Sequence, residues 1–357
     1  MENKNLVSIN LLTYNAQKYI YQCLNGIFSQ TYPFCQVLII DNNSHDETVN
    51  LIKSYFKKHQ VKFNTKLFIN PKNFGFATAH NQAIIKSKGE FVLCLNQDVV
   101  LDKNFVIRAV EALKKNQRIG AVQGKLLKYN FKQNKIIKHN QLPVIDTTGL
   151  VMLKNRRVVN RGQGQADYGQ YNSSEEIFGV DGAAPLFRRK ALEDIKIPLL
   201  TNLNNSKYTA YEYFDEDFFI YKEDVDLAWR LKLYGWKSIY QPKAVALHER
   251  SAGENVNTSY LKIIQERRKV KRYAKFFSFR NQRLMQIKNE LWPLLLKNLP
   301  TILLKEIGSW IYVLIFEHNA WQILKDLIKL SPKMCKKRKI IMKNKQLNSQ
   351  MMAKWFK

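Results

Sequence analysis

Short apolar runs alternate with amphipathic stretches through the first half of the chain. The runs 6–13, 36–40, 66–70, 90–95 and 119–126 have the length and composition of buried strands. Between them, a segment capped by Asn15 and the segments 45–58, 76–88 and 104–115 carry apolar residues at helical spacing. Strands that alternate with helices predict an α/β fold with a doubly wound, mostly parallel sheet. In such sheets, ligands bind beyond the carboxyl ends of the strands.

The middle of the chain, residues 128–215, is less regular. Segments 129–141 and 201–213 are rich in Asn together with Lys or Tyr, and they predict surface loops on either side of a strand at 177–187. A short helix is predicted at 223–234, where Gly235 ends it. Beyond Ser259 the pattern is helical. Its longest nearly uncharged stretch, 307–316, has about half of the roughly 20 residues that a membrane-spanning helix needs, so we expect helices that lie on a membrane surface.

Charge divides the chain unevenly. The 58 Lys and Arg residues outnumber the 29 Asp and Glu residues and leave a net charge of +29. Residues 255–357 contain 23 of the basic and 5 of the acidic side chains. We therefore predict a catalytic domain at 1–254 and a basic, amphipathic helical region at 255–357 that associates with membranes. A surplus of this size attracts phosphate-rich partners, and both anionic lipid and nucleic acid fit it.

The basic runs 267–269 and 336–339 have two interpretations. Charged runs of this kind usually form a solvated face. Here they are interleaved with Tyr273, Phe276, Phe277 and Trp292, which is typical of helices at a membrane interface. The sequence therefore predicts solvent-exposed or lipid-facing lysines in both runs.

The sequence lacks several motifs that mark common metal, nucleotide and catalytic sites. The four cysteines stand far apart without a CxxC pair, so neither a zinc ribbon nor a disulfide framework is expected. Gly162-Gln163-Gly164 has no strand before it and no third glycine, and neither a P-loop nor a GxSxG motif occurs. No charged leader with an apolar core precedes the first strand, so we expect a cytosolic catalytic body.

Polar residues follow two of the predicted strands directly. Asp41 ends the second strand and opens a polar run of six residues. A carboxylate there can accept a hydrogen bond from a base or a ribose, although a turn with a helix cap explains the same residues. Asn96 and Asp98 follow the fourth strand and, being two apart, point to the same side. Oxygen ligands of this kind suit Mg²⁺ or Mn²⁺ on a diphosphate, and a polar turn is the alternative.

Two later segments carry titratable side chains. His248 follows the apolar run 244–247, where it is either a metal ligand or a structural histidine. Glu223, Asp224 and Asp226 precede an apolar helical face. Acidic residues in a first helical turn complement the helix dipole. Crowded carboxylates also raise one another's pKa, which suits a general base that takes a proton from a hydroxyl.

Taken in order, these segments resemble family 2 glycosyltransferases with the GT-A fold, in particular bacterial rhamnosyltransferase-like members. The resemblance extends over about residues 6–250 and continues faintly into 280–284. The matching segments are Thr13-Tyr14-Asn15, Asp41-Asn42-Asn43-Ser44, Asn73-Phe74-Gly75-Phe76 with Asn81, Leu95-Asn96-Gln97-Asp98, Asp181-Gly182-Ala183, Phe214-Asp215-Glu216-Asp217-Phe218-Phe219, Glu223-Asp224-Val225-Asp226 and His248.

The resemblance implies a role for each of these positions. The nucleotide-sugar would be bound by a group of polar residues at the strand ends, with Asp41 on the base: Thr13, Asn15, Asp41, Asn73, Asn96 and Asp98. Asp98 would hold Mg²⁺ or Mn²⁺ on the diphosphate, with His248 as a further ligand. Asp224 would be the general base, and the acceptor would lie beside Gly182, Ala183 and Glu223. The metal motif reads Asn-Gln-Asp instead of Asp-x-Asp, so we expect one carboxylate fewer at the metal.

The implied function is an inverting transfer of a sugar from a dTDP- or UDP-sugar to a hydroxyl of a glycan or polyprenyl-linked acceptor. Cell-surface polysaccharide synthesis by a peripheral enzyme at the cytoplasmic face of a bacterial inner membrane would be its setting. Three alternatives remain, and one of them is a catalytically inactive scaffold, which Asn96 in the metal motif suggests. A sugar nucleotidyltransferase would need a Gly-rich, basic phosphate loop after the first strand, which residues 13–16 do not offer. A basic nucleic-acid-binding protein would leave the carboxylate sites unexplained, so no nucleic acid partner is expected.

Overall fold

The computed structural model describes residues 3–199, 211–250, 260–317 and 319–357. Its strands are β1 Asn3–Thr13, β2 Cys35–Asp41, β3 Asn64–Ile69, β4 Gly89–Asn96, β5 Val99–Leu101, β6 Ile119–Asn130, β7 Lys135–Ile136, β8 Lys138–His139, β9 Leu142–Pro143, β10 Ile145–Thr147, β11 Leu150–Met152, β12 Val158–Asn160, β13 Glu175–Ile177, β14 Leu186–Arg188, β15 Ile197–Pro198, β16 Tyr211–Glu212 and β17 Lys237–His248.

Helices connect and cover the strands. They are α1 Ile20–Phe28, α2 Thr48–Lys58, α3 Phe76–Lys86, α4 Phe105–Lys114, α5 Arg189–Ile195, α6 Glu223–Leu233, α7 Tyr260–Lys269, α8 Arg272–Asn289, α9 Trp292–Lys297, α10 Leu299–Phe316, α11 Ala320–Asn344 and α12 Ser349–Ala353. A short 3₁₀ helix, Glu216–Phe218, precedes α6.

A large mixed sheet forms the centre of the molecule. Its main path runs β13-β17-β6-β14-β4-β1-β2-β3. The strands β1 to β4 are mutually parallel, and β6 is parallel to β17, whereas β13 and β14 are antiparallel to their neighbours. The predicted α/β class with a mostly parallel, doubly wound sheet is confirmed.

Strand β4 shows how the sequence builds a core on each face of this sheet. Phe91, Leu93 and Leu95 pack in one core with residues of α1 and α4. Val92 and Cys94 pack in the other core with residues of α3, α5 and α6. Successive side chains of a strand point to opposite faces. A strand that is covered on both faces must therefore be apolar throughout, as this run is.

Two predicted elements differ from the structure. The helix expected after Asn15 begins only at Ile20, because Asn15 has a φ of 49° and makes a turn. The strand predicted at 177–187 is wrong, since β13 ends at Ile177 and β14 begins at Leu186. The residues between them turn at 182–183, and they pack closely on α6, where a Cβ on Gly179 would lie 2.3 Å from the Cβ of Ala228. Most of the predicted loop 201–213 lies outside the described residues.

The C-terminal helices share a core with the sheet. Side chains from α8, α11, α12 and the last residues join the core on the α6 face: Leu284, Met285, Met334, Ile341, Met352 and Phe356. The backbone N–H of Lys357 also donates to the carbonyl of Met152 at 2.9 Å. The boundary near residue 254 stays a prediction, but the residues on its two sides pack together.

One lysine of the run 336–339 corrects the prediction for that run. Lys337 is fully buried, with its ammonium group against the carboxylates of Glu212, Asp215 and Asp217. Its acidic partners lie more than 100 positions away in the sequence, so no local pattern could reveal them. Lys336 and Lys339 are exposed, as predicted.

The cysteines form no disulfide. Cys23, Cys35 and Cys94 are buried, and Cys335 on α11 is exposed. Burial raises the pKa of all three buried thiols. These thiols are therefore protonated and unreactive at neutral pH.

Candidate active site

The carboxyl ends of β1, β2 and β4 lie side by side. Thr13 is in register with Asp41, and Leu12 with Asn96. Beyond these ends, the backbone N–H of Asn96 donates to the carbonyl of Ala183 at 2.9 Å. The parallel pairing thus brings the predicted binding residues to one edge of the sheet, next to the turn that contains Gly182 and Ala183.

Asp41 is buried at the end of β2. Its Oδ1 accepts hydrogen bonds from Thr13 Oγ1 at 2.9 Å and Ser44 Oγ at 2.6 Å, and its Oδ2 accepts one from the Ser44 backbone at 2.9 Å. Asn15 continues the cluster, because its Oδ1 accepts from His45 N at 2.9 Å. The structure therefore joins Thr13, Asn15 and Asp41 in one cluster, and their contact with a nucleotide stays a prediction.

Asn73 orders the segment before α3. Its Oδ1 accepts from Asn42 Nδ2 at 2.9 Å and from Gly75 N at 2.8 Å. Gly75 has a φ of +86°, and a Cβ there would lie 2.4 Å from the ring of Phe219. Only glycine fits this position. The segment is tied in this way to the end of β2 on one side and to the loop before α6 on the other.

Asp98 and His248 lie together because β5 pairs antiparallel with β17, with Val99 opposite His248. The distance from His248 Nε2 to Asp98 Oδ1 is 3.5 Å. On the other side of the ring, Nδ1 lies 2.8 Å from Asp146 Oδ2. Burial alone would lower the pKa of His248, but the carboxylates of Asp98 and Asp146 raise it to about 10. The predicted metal-binding pair is thus brought together.

Sequence reasoning missed two charged residues of this site. Asp146 is fully buried, and Arg250 Nε donates to its Oδ1 at 2.8 Å. Arg250 Nη2 donates to Asp181 Oδ2 at 3.0 Å. Burial alone would raise the pKa of Asp146, but Arg250 and His248 hold it well below its usual range. Asp146 fixes the orientation of the His248 ring, as partners of metal-binding histidines commonly do.

Gln97, in the middle of the predicted metal motif, has a structural role, because its side chain connects two loops. Its Oε1 accepts from Tyr14 N at 2.7 Å, and its Nε2 donates to Tyr14 O at 3.1 Å. The two bonds hold the loop after β1 against the loop after β4. This explains why an amide stands between Asn96 and Asp98.

The residues around Asp98 fit a divalent ion that is shared with a ligand. In the described part of the chain, no three His, Cys, Asp or Glu side chains are grouped to hold a metal alone. Asp98 supplies a carboxylate oxygen, and His248 would supply Nε2 once an ion displaces the proton that its raised pKa keeps on the ring. Asn96 Oδ1 is buried without a hydrogen-bond partner among the described residues. Mg²⁺ and similar ions complete such partial shells with phosphate oxygens and water. The arrangement therefore suits an ion that arrives with a diphosphate.

Asp224 lies on the other side of the same turn. It is the second residue of α6, and its Oδ2 accepts from the backbone N–H of Gly182 at 3.1 Å. Burial and the Asp181 carboxylate raise the pKa of Asp224 above its usual value. Residues 182–183 thus connect the two predicted halves of the site, since Gly182 contacts Asp224 and Ala183 contacts Asn96.

Glu223 precedes Asp224 and is buried. Its Oε2 has no hydrogen-bond partner among the described residues, and burial together with the Asp224 charge raises its pKa well above the usual value. A buried carboxyl oxygen without a partner next to the candidate base calls for an explanation, and the contact of Glu223 with an acceptor stays a prediction.

Replacing Gly182 by alanine should displace the candidate base. The new Cβ would lie 3.2 Å from Asp224 Cβ and 3.4 Å from its Oδ2, so the carboxylate must shift. We expect kcat to fall about 10-fold with an unchanged Kd for the nucleotide, because small displacements of reacting groups are costly. Steady-state kinetics and calorimetry measure the two quantities. The matched control is Gly308→Ala, where no atom lies within 4 Å of the new Cβ. Full activity of Gly182→Ala would show that Asp224 tolerates the displacement or is not the base.

Comparison with known proteins identifies the family. Residues 8–196 match the model of the family described as Glycosyl transferase family 2. The poly-beta-1,6-N-acetyl-D-glucosamine synthase of Staphylococcus epidermidis is 28% identical over 240 residues, which are 67% of this chain and 48% of that protein. The synthase of the same name from Staphylococcus aureus strain COL is 25% identical over 242 residues, with the same two coverages. The chain thus spans about half the length of these curated relatives.

Two solved structures share the fold. S. aureus TarS 1-349, in complex with UDP-GlcNAc, superposes with a TM-score of 0.53 and 17% identity, covering 95% of this chain and 89% of that chain. GalNAc-T7, with UDP, GalNAc and Mn²⁺, superposes with a TM-score of 0.61 and 12% identity, covering 98% and 57%. The predicted GT-A type of the sheet is thereby confirmed. The family match covers more than half of the 357 residues. The chain belongs to glycosyl transferase family 2.

Proposed function

We propose that the protein is an inverting, metal-dependent glycosyltransferase that moves a sugar from a nucleotide-sugar to an acceptor hydroxyl. The observation that carries this proposal is the turn at 181–183. Its Ala183 carbonyl contacts Asn96 in the metal motif, and its Gly182 N–H contacts the carboxylate of Asp224. Two hydrogen bonds therefore connect the motif proposed to bind the metal and diphosphate with the candidate base.

The residues divide the reaction between them. Asp224 accepts the acceptor proton as the hydroxyl oxygen attacks the anomeric carbon and the bond to the diphosphate breaks. The hydrogen bond from Gly182 orients the carboxylate, and the raised pKa makes it a stronger base than an exposed aspartate. Asp98 and His248 would hold the divalent ion, which when bound stabilises the negative charge on the diphosphate. Attack from the side opposite the diphosphate inverts the anomeric centre.

We base the proposed acceptor on the names of the related proteins. The curated relatives carry the name of a synthase for an N-acetylglucosamine polymer. This name supports a glycan as the acceptor. We further propose a UDP- or dTDP-linked sugar as the donor and a polyprenyl-linked sugar as an alternative acceptor. We place the reaction in the synthesis of cell-surface polysaccharide.

A binding and hydrolysis screen tests the proposed donor. Purified protein is incubated with UDP-, dTDP- and GDP-sugars, with Mn²⁺, Mg²⁺ or a chelator. We expect one UDP- or dTDP-sugar to bind and to be slowly hydrolysed only when the divalent ion is present. If no nucleotide-sugar binds and the protein instead binds RNA with a steep salt dependence, the nucleic-acid alternative replaces this proposal.

We also propose that α10 and the neighbouring helices attach the protein to an anionic membrane. α10, with 18 residues, has the length and apolar composition to cross a membrane, and few of its residues are buried. Its inner side is buried at Ile302, Tyr312 and Val313, and the last two pack with residues of α8 and α11. A helix with one side on the protein lies along a membrane more readily than across it.

The outer side of these helices carries exposed apolar side chains, which we call the apolar stripe. Its members are Leu303, Leu304, Ile307, Ile311, Leu314, Ile315 and Phe316 on α10, and Trp321, Leu324 and Ile328 on α11. Lys325 and Lys329 are exposed among the α11 members. Apolar side chains bordered by lysines match the interior and the charged surface of an anionic bilayer.

Vesicle sedimentation tests the membrane proposal. We expect the protein to pellet with vesicles that contain anionic lipid, and the double variant Leu304→Glu/Ile311→Glu to bind about 10-fold more weakly. Ile85→Glu is the matched control, since Ile85 is an equally exposed aliphatic side chain on α3. Equal sedimentation of the double variant and the control would remove the apolar stripe as the attachment surface.

A further inference from the structure

The loop between the 3₁₀ helix and α6 has an unusual backbone. Phe219, Tyr221 and Lys222 have φ values of 63°, 70° and 73°. Residues with a Cβ rarely adopt positive φ, and such conformations persist only where the surroundings hold them. The loop leads directly into Glu223 and Asp224, so its conformation sets where the candidate base begins.

A buried amide from the C-terminal helices holds this loop. Asn281 of α8 is fully buried, and its Nδ2 donates to the backbone carbonyls of Phe218 at 2.8 Å, Ile220 at 2.9 Å and Tyr221 at 2.8 Å. From the opposite side, the backbone N–H of Phe76 donates to the carbonyl of Phe219 at 2.7 Å. The strained residues are thus held between α8 and the start of α3.

Charged groups hold the entrance of the loop. Asp215 is buried between the ammonium groups of Lys288 on α8 and Lys337 on α11. Arg280 Nη2 adds a bond to the carbonyl of Asp217 at 2.7 Å. Removing one partner from a buried ion pair leaves an uncompensated charge and destabilises the whole fold. Asn281 is neutral, so its substitution separates positioning from stability more cleanly.

We propose that Asn281 is a positioning residue for sugar transfer, acting through the loop 218–222 to hold Asp224 against Gly182. This inference rests on the proposed function, because Asp224 is taken as the base. It also makes α8, from the region predicted to bind membranes, a part of the catalytic structure. Asn281 itself contacts backbone carbonyls and takes no part in the chemistry.

The adjacent residue of α8 offers a matched control. Gln282 is also buried, and its Nε2 donates to the backbone carbonyl of Arg156 at 2.8 Å, far from the loop in the sequence. Both side chains are amides on one helix that bond main-chain oxygens. They differ in the segment that they hold, and Asn281 Oδ1 also accepts a hydrogen bond from Arg280 Nε at 3.0 Å.

Kinetics of Asn281→Ala, Asn281→Ser and Gln282→Ala test the proposal in the full-length chain. We expect kcat to fall about 10- to 100-fold in both Asn281 variants, with Kd for the nucleotide within about twofold of wild type. Gln282→Ala should keep kcat within about twofold of wild type, even if its Tm decreases by as much as that of the Asn281 variants. In the Asp224→Asn background, Asn281→Ala should lower the residual rate no further, since its effect passes through Asp224.

Hydrogen exchange supplies a readout that does not need turnover. Backbone amides of residues 218–224 should exchange faster in Asn281→Ala than in wild type. In Gln282→Ala their exchange rates should equal those of wild type. If wild type transfers no sugar but this contrast holds, the proposed function fails while Asn281 still holds the loop. Any of three results would overturn the proposal. The Asn281 and Gln282 variants could lose kcat equally, hydrogen exchange in the loop could be unchanged in Asn281→Ala, or both Asn281 variants could be unfolded.

Discussion

Replacing Asp224 by asparagine should lower kcat by about 10²–10⁴-fold, the range that general-base assistance supplies. Asparagine keeps the size of the side chain and accepts the hydrogen bond from Gly182 N, but it cannot take a proton. Nucleotide binding should stay within about twofold of wild type, because Asp224 lies on the side of the turn where we propose that the acceptor binds. Rapid-quench measurement of transfer and calorimetry with UDP test the two parts.

Glu223→Gln is the companion variant. We expect a weaker affinity for the acceptor and a smaller loss of kcat. Near-normal transfer by Asp224→Asn together with complete loss in Glu223→Gln would exchange the two roles, because both carboxyl groups have a raised pKa.

The raised pKa of Asp224 predicts how both the stability of the fold and kcat change with pH. Burial and Asp181 raise the pKa of Asp224, so the folded chain binds this proton more tightly than the unfolded chain does. The resulting stability is present below the unfolded pKa and is lost as the pH rises through the folded pKa. At neutral pH, Asp224→Asn should therefore be at least as stable as wild type in thermal unfolding. Wild-type kcat should fall as acid protonates Asp224, and the residual rate of the variant should lack this fall.

Replacing Asp98 by alanine should remove the effect of Mn²⁺ on nucleotide binding and lower turnover by at least about 100-fold. Asp98 supplies the only predicted carboxylate ligand, and a divalent ion gains most of its affinity from charged oxygens. In UDP titrations, the variant should give the same Kd with Mn²⁺ as with a chelator. This Kd should equal that of the wild-type protein with a chelator.

Asp102→Asn is the matched control for Asp98→Ala. Asp102 follows β5 and is exposed, and the bond that its carboxylate accepts within the described contacts comes from Asn104 N at 2.9 Å. It should keep the full effect of Mn²⁺. A retained effect of Mn²⁺ in Asp98→Ala would show that the ion is held elsewhere or that the metal role is wrong.

The parallel half of the fold could be predicted because its signals are local. An apolar run such as 90–95 identifies a strand buried on both faces, and polar residues directly after it must lie at the carboxyl edge of the sheet. Asp41 and Asn96 were placed in this way. The pairing of Asp98 with His248 required the family resemblance, since 150 positions separate them in the sequence.

The residues that sequence reasoning missed act over long distances. Asp146 lies in an irregular segment and contacts Arg250 across 104 positions. Asn281 reaches the loop before α6 across about 60 positions. A single polar residue without a repeating neighbour gives no pattern of its own. The strand predicted at 177–187 failed for the opposite reason, because a mostly apolar segment looked like one strand but contains a turn at 182–183.

The exposure of Cys335 makes a spectroscopic experiment practical without any substitution. It is the exposed thiol among four cysteines, and it lies seven positions after Ile328, two turns further along the same side of α11. A maleimide fluorophore should label this position selectively, because the other thiols are buried. Its emission would then report directly whether this side of α11 enters a lipid environment while sugar transfer is followed in the same sample.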